Sequence, residues 1–377
     1  MDTKVIHIVL GKANPARMNG VNKVVHELAT HQVLAGWNVE VWGITRDLYS
    51  ETPKREYNLR LFQAYRNLYK VDNSLVEALT IGHKKNNIVV HLHGGFIPTF
   101  FTLAKKLVKN DIPYVFTPHG SYNEIALRRS FYLKKLYLKI FEKNLANNAQ
   151  YVHCLGKSEV IGTKKLFKNA KTYLIPYGFN LIEEVYKSEP QPDKFIIGFC
   201  GRMDAYTKGL DALTEGFLKF SNENPNAELW LIGDGQDLQS LKREIAPFGN
   251  GKVIFYGSKY GQEKFDLLSQ LDVFAHPSRN EGLPTAVLEA ASLGIPTLIT
   301  EATNLGDAIR NYSCGYVMEQ TKGKELYEGL CFLKKELSTK SKQVKANAKK
   351  MVTESFNWFT LLNGYAKMYT SDHAEAA

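Results

Sequence analysis

At 377 residues the chain is too long for one ordinary hydrophobic core, so two domains or one large barrel are expected. With 44% hydrophobic, 12% aromatic and 23% charged residues the composition is globular, which excludes wholesale disorder and fibrous classes, and no apolar run approaches the roughly 20 residues of a membrane-spanning helix. The net charge of +10 is uneven: residues 1–180 hold 26 Lys and Arg against 12 Asp and Glu, and residues 181–377 hold 22 against 26, so the first half should be drawn to something anionic.

The opening MDTKVIHIVL reads as a buried first strand over 4–10, without the small-residue cleavage site of a signal peptide. Further apolar runs follow at 39–44, 88–94 (IVVHLHG), 113–120 (PYVFTPHG), 149–156 and 171–178, with helical patterns between them at 21–36 and 128–147. A polar stretch with two prolines, 181–194, has linker chemistry. The same grammar then restarts at 195–202 (FIIGFCGR), 228–235, 253–258, 272–278 (DVFAHPS), 296–300 and 315–318. Strand–helix alternation met twice predicts two doubly wound α/β domains facing a cleft, over 1–180 and 195–355. Ligands in such sheets bind at the carboxyl ends of strands. The four cysteines are scattered and form no CxxC pair, which fits a reducing cytosol and argues against a disulfide framework.

The residues that carry chemistry sit at those strand ends. The loop 11–25 (GKANPARMNGVNKVV) places Gly20 at a helix start, where backbone can approach a ligand closely, although it is neither GxGxxG nor GxxxxGK[ST]. His91, His93 and His119 lie at strand ends, and His119, between a strand and a glycine in TPHG, is the functional candidate among them. In 199–213 (FCGRMDAYTKGLDAL) Arg202 and Lys208 stand six apart on a turn entering a helix. There a planar fork and a point charge could hold phosphate oxygens. In 281–289 (EGLPTAVLE) two carboxylates flank a Pro-started helix. The free N–H groups around Leu283, Pro284 and Thr285 suit a phosphate. Glu289 could accept both hydroxyls of a ribose, or could equally be a solvated helix residue, with Glu281 a loop cap. No two aspartates lie two residues apart, so a DxD metal site is absent, and no cluster has zinc spacing. Metal-independent chemistry is expected, with no cofactor and no metal ligand.

Taken together these motifs resemble glycosyltransferase family four, the retaining sugar transferases of the GT-B fold. The likeness rests on GRMDAYTKG (201–209), LIGDGQD (231–237), FYGS (255–258), EGLPTAVLEAASLGIPTLIT (281–300) and TPHG (117–120). The final helix, 356–370 (FNWFTLLNGYAKMY at its heart), resembles the family's last helix, which crosses back to the first domain. The resemblance implies a nucleotide-sugar donor bound by the second domain, most often UDP-linked. UDP-glucose is the first expectation and GDP-mannose the alternative. Arg202 and Lys208 would hold the departing diphosphate, Glu289 the ribose and Glu281 the sugar hydroxyls. Groups near Ser258 and Lys259 would hold the base, Leu283 and Thr285 would meet phosphate, and His119 would sit near the sugar. Overall similarity to bacterial surface-polysaccharide transferases implies a glycan or lipid-linked glycan acceptor at the cytoplasmic membrane face.

Two other functions find less support in the sequence. An oxidoreductase lacks its GxGxxG with a distal acid. A nucleic-acid partner is not expected, because the positive charge is spread over several helices without a binding motif. The basic stretch 126–145 (Arg128, Arg129, Lys134, Lys135, Lys139, Lys143) is instead expected to dock on an anionic membrane surface. Its apolar face of Leu133, Leu136, Tyr137, Ile140 and Phe141 should pack on the sheet.

Overall fold

A computed structural model describes residues 3–14, 20–122, 136–181, 191, 193–247 and 251–370. It divides into two compact units. One comprises residues 1–178 together with the chain from Trp358 onward, and the other runs from Phe179 to Asn357.

The first unit is one parallel sheet of β1 (Lys4–Leu10), β2 (Val39–Thr45), β3 (Asn58–Gln63), β4 (Ile88–His93), β5 (Tyr114–Thr117), β6 (Tyr151–Cys154) and β7 (Thr172–Leu174). Their order is β3-β2-β1-β4-β5-β6-β7. The strand order reverses between β1 and β4, and at such a switch point the loops leaving the two strands diverge and open a crevice. Strand alternation sorts the two faces of this sheet. Ile6, Ile8, Val90, Leu92, Phe116 and Val152 enter one apolar cluster with α2 (Asn73–Lys85) and α3 (Pro98–Lys109). His7, His91, His93, Thr117 and His153 occupy the intervening positions and are also fully buried. The sequence pattern did not reveal β3. Its residues are largely half-exposed because it is an edge strand paired only with β2.

The histidine face is covered by α1 (Gly20–Leu34) and by the last helix, Trp358–Thr370, here α13. Gln32 of α1 and Tyr365 and Tyr369 of α13 are buried against it. Trp358 stacks on His31 with centroids 4.9 Å apart, and its indole lies where a side chain on residue 178 would have to go. Gly178 is therefore a packing requirement where the chain passes beneath α13.

The second unit is a parallel sheet of β8 (Phe195–Cys200), β9 (Ala227–Ile232), β10 (Val253–Gly257), β11 (Val273–His276), β12 (Thr297–Thr300) and β13 (Gly315–Met318). Its order is β10-β9-β8-β11-β12-β13, so the switch point lies between β8 and β11. Ile197, Phe199, Leu229 and Leu231 pack on one side with Phe217, Leu326 and Leu330, and Trp230, Ile232 and Phe274 pack on the other with Val287, Met351 and Val352. The helices that position the site are α6 (Ala205–Lys208), α7 (Leu210–Glu223), α9 (Gly261–Leu268) and α10 (Thr285–Ser292). Between α3 and α6 lie α4 (Lys143–Asn147) and α5 (Lys157–Leu166), between α7 and α9 lies α8 (Leu238–Ile245), and after α10 come α11 (Gly306–Tyr312) and α12 (Gly323–Ser355).

Arg128, Arg129, Lys134 and Lys135, with Leu133, lie outside the described residues, as does most of the expected linker. Where the basic helix is described, its apolar face differs in part from the expectation. Leu136 and Ile140 are exposed, at 58% and 46%, whereas Leu138, Glu142 and Leu145 are buried. Tyr137 and Phe141 of the expected face are half-buried and pack on Phe96 and Phe101, and a π-turn lies at Leu138–Glu142. Glu142 accepts from the Phe96 N–H at 3.1 Å and from the Tyr122 hydroxyl.

Candidate active site

In the second unit three candidates fall on the loops leaving β8 and β11. Lys208 ends α6 and donates to the Glu281 carboxylate. The same Glu281 oxygen accepts from His276 Nε2 at 2.8 Å. Burial alone would raise the Glu281 carboxyl, but the His276 hydrogen bond and the Lys208 charge outweigh it and hold the group at about 2. His276 is itself lowered, chiefly by burial, with Glu281 opposing. A neutral His276 that donates from Nε2 leaves Nδ1 as a bare acceptor. That atom is buried and has no hydrogen-bond partner, as has the nearby Asn280 Oδ1.

The loop that carries these groups is tied down from several sides. Gly209 adopts φ +68°, and a side chain there would collide with the Pro277 carbonyl, so the end of α6 can lie directly on the β11 loop. Arg279 forms a two-point bridge to Asp211 at 2.7 Å for each bond and lies over the Tyr206 ring at 4.6 Å. Ser278 donates to the Thr207 carbonyl at 2.9 Å, and Asn304 donates to the Gly282 carbonyl at 2.7 Å.

Helix α10 begins at Thr285 with Pro284 at the N-cap, one position earlier than a first-turn proline. The Val287 N–H turns back to the Pro284 carbonyl at 3.1 Å, while the N–H groups of Thr285 and Ala286 precede any intrahelical acceptor and mark a positive dipole end. Thr285 is exposed and Leu283 half-buried there. Glu289 is not a solvated helix residue: it is 5% exposed and bonded to Lys264 of α9 at 2.8 Å. Arg202 stands apart from Lys208, its side chain 69% exposed and its nearest acid, Asp204, 4.0 Å away. Ser258 is exposed past β10, and Lys259 pairs with Glu263 at 3.1 Å. The structure therefore joins Lys208 to Glu281 and gives Glu289 a separate cation, while Arg202, Ser258 and Lys259 line loops with no such partner network.

In the first unit the loops leaving β1, β4 and β5 enclose a cavity of about 240 Å³, lined among others by Asn22, His93, Gly94, His119 and Ser121. Gly20 is the first residue of α1, with open space where a side chain would stand. His119 has φ +52°, a strained value for a non-glycine residue. The turn is held by Glu159, which accepts from the Gly120 N–H and, at 2.6 Å, from the Leu155 N–H. Asn22 is among the lining residues, and its Oδ1 is buried without a hydrogen-bond partner. His91 is fully buried and bonds Tyr369 and Thr117 at 2.7 and 2.6 Å.

Residues missed in the sequence are His276, Lys264, Arg279, Glu159, Gln32 and Tyr369. A signal existed for His276, at a strand end five residues before Glu281. The others come from distant helices and carry no local mark.

Comparison with known proteins places these features. Residues 182–351 match the family described as Glycosyl transferases group 1, and residues 18–182 match Glycosyltransferase Family 4. An uncharacterised glycosyltransferase of Methanocaldococcus jannaschii is 23% identical over 324 residues, covering 83% of this chain and 79% of its own length. The UDP-Gal:alpha-D-GlcNAc-diphosphoundecaprenol alpha-1,3-galactosyltransferase of Escherichia coli is 24% identical over 265 residues, 67% of each chain. The Anabaena protein HepE in complex with UDP shares the fold, with a TM-score of 0.75, 16% identity and coverage of 98% and 100%.

Proposed function

The chain belongs to glycosyltransferase family four, with its GT-B fold, and from that premise we propose that it transfers a hexose, with retention, from a UDP-linked donor to a glycan or lipid-linked glycan acceptor, without a metal. The observation that carries the reading is the Lys208–Glu281–His276 cluster beside the start of α10, at the switch point of the second sheet. It offers a cation and the N–H groups of Thr285 and Ala286 for a diphosphate, and a carboxylate fixed by His276 for sugar hydroxyls. Arg202, largely exposed and only 4.0 Å from Asp204 at its closest, is assigned the outer diphosphate oxygens. The UDP-galactose in one relative's name and the UDP in one structural neighbour support a uridine nucleotide. In this reading the acceptor oxygen attacks the anomeric carbon from the face the diphosphate leaves. The carbon–oxygen bond to phosphate breaks, and the departing diphosphate takes the acceptor's proton, so no protein nucleophile is used. Glu281 and Glu289, each held by its own cation, are not a glycosidase pair.

A donor screen in excess EDTA tests this. UDP-glucose, UDP-galactose, UDP-N-acetylhexosamines and GDP-mannose are offered with and without a lipid-linked acceptor, and released nucleotide is measured. One UDP-sugar is expected to be consumed, with EDTA changing the rate less than about twofold. Release from GDP-mannose alone, or a rate that collapses in EDTA and returns with magnesium, contradicts the reading.

Glu289→Ala is expected to weaken UDP binding by about 1.5–3 kcal/mol, the range for a hydrogen bond to a charged group. Calorimetric titration with UDP and its 2′-deoxy analogue checks this, and the variant should lose discrimination between them. Unchanged UDP affinity would leave Glu289 only as the partner of Lys264.

A further inference from the structure

The buried polar layer of the first sheet is a single directed hydrogen-bond chain. His153 Nε2 lies 2.8 Å from the Ile175 carbonyl, which can only accept. His153 must therefore donate from Nε2, which leaves Nδ1 to accept from the Thr117 hydroxyl at 2.8 Å. With its proton used there, Thr117 accepts from His91 Nε2 at 2.6 Å. His91 Nδ1 then accepts from the Tyr369 hydroxyl at 2.7 Å, and Tyr369 accepts from the Gln32 amide nitrogen at 3.5 Å. The Gln32 oxygen, so oriented, accepts from His7 Nε2 at 2.7 Å, and His7 Nδ1 accepts from His93 Nε2 at 2.9 Å. Finally His93 Nδ1 accepts from His119 Nε2 at 3.3 Å.

Each link has one direction once the carbonyl end is fixed, provided the imidazoles are neutral. Burial lowers all five histidines, His7 and His153 to about 4 and His119 to about 3. His7, His91 and His93 bring nitrogens within 4.8 Å of one another, as a metal cage would, but all six of their ring nitrogens are used in these bonds. The Tyr177 hydroxyl is 3.5 Å from both His119 nitrogens and does not choose between them.

We propose that this chain, anchored at the Ile175 carbonyl and routed through Tyr369 and Gln32, fixes His119 as the Nε2–H tautomer and so presents its Nδ1 to substrate as a hydrogen-bond acceptor for a sugar hydroxyl. His119 lines the cavity together with Asn22 and Ser121, so a polyhydroxylated ligand there would meet a wall of polar side chains. Tyr369, Gln32, His7 and His93 are positioning residues in this scheme. The substrate role rests on the glycosyltransferase reading, but the tautomer does not.

The test is long-range ¹H–¹⁵N correlation on the full chain with ¹⁵N-labelled histidines at pH 7.5, where a bare ring nitrogen resonates far downfield of a protonated one. His119, assigned by its loss in His119→Ala, is expected as pure Nε2–H in the wild type. Tyr369→Phe, a mild change on a distant helix, frees the Gln32 amide to flip, and His119 should then show both tautomers. Gln32→Met should do the same. In both variants kcat should fall by several-fold to about tenfold, the worth of one hydrogen bond, with UDP affinity unchanged. A wild-type Nδ1–H tautomer, or a His119 tautomer unmoved in both variants, overturns the proposal. The spectra need no donor, so they give the same answer even if no nucleotide-sugar is consumed. Full turnover by His119→Ala, with the tautomer shifts intact, overturns the substrate role alone.

Discussion

Replacing Lys208 by methionine is expected to lower kcat by about two to three orders of magnitude, the usual loss when one preorganised group facing developing charge is removed. The ammonium is fixed at the end of α6 by the Gly209 turn and by Glu281, and Glu281 is fixed in turn by His276. The cation therefore needs no reorganisation when negative charge builds on the leaving diphosphate. A second effect must be separated from this one. Removal of Lys208 leaves a buried carboxylate with one fewer partner, which costs about 1–3 kcal/mol and lifts the Glu281 carboxyl from about 2. The double variant Lys208→Met with Glu281→Gln removes that unpaired charge. Because Glu281 is itself assigned to the sugar, turnover is judged against Glu281→Gln alone: if Lys208 only satisfies Glu281, the double variant matches that single variant, and if it stabilises the leaving group, the double variant is far slower while its melting temperature recovers. Initial rates at saturating donor and a melting curve for each of the three variants decide it. Near-normal turnover in Lys208→Met would remove the catalytic role.

The parallel sheets were legible because their strands are short apolar runs punctuated by glycine, and so were the Glu281–Glu289 and Arg202–Lys208 segments, because their chemistry is local. Pairing was not legible. Nothing in the spacing of Lys208 and Glu281 announces that they bond, since 73 residues separate them and the β8–β11 crossover alone brings them together. The apolar face expected on the basic helix holds in part: Tyr137 and Phe141 pack inward, while Leu136 and Ile140 are exposed and Glu142 is buried, a choice made by tertiary contacts that apolarity alone does not mark. His91 is legible in the sequence only as a histidine at a strand end, and His7 carries no mark at all. Their meaning depends on register, which pairs them side by side, and on α13, which returns from the far end of the chain to cover them.

That buried layer also sets the acid limit of the first unit. Its five histidines are held well below 6.5 by burial, so between about pH 6.5 and 4 an unfolded chain binds protons there that the folded chain does not. Their contribution is complete above 6.5 and is lost as pH falls. Two buried carboxyls act in the opposite sense. Burial raises Glu142 and Glu159 to about 7, so the folded chain holds two protons there that the unfolded chain releases above about 4.5, and their contribution is lost as pH rises through 7. Near pH 5.5 the histidines prevail five to two, and each net proton is worth about 1.4 kcal/mol per pH unit. The first unit should then lose roughly 4 kcal/mol per unit of acidification over this window, a large part of an ordinary domain's 5–15 kcal/mol. The second unit has His276 as its buried histidine among the described residues, and its Glu281 titrates only near 2, so it should outlast the first. Urea unfolding at pH 7.5, 6.5 and 5.5, followed by tryptophan fluorescence, should show an early transition whose midpoint drops steeply and a later one that moves little. Removing His31–Trp358 contact in Trp358→Phe identifies the early transition as that of the first unit. A single transition with the same midpoint at all three pH values would mean that these histidines are hydrated or protonated in the folded chain, and the directed hydrogen-bond chain built on their neutrality would fall with it.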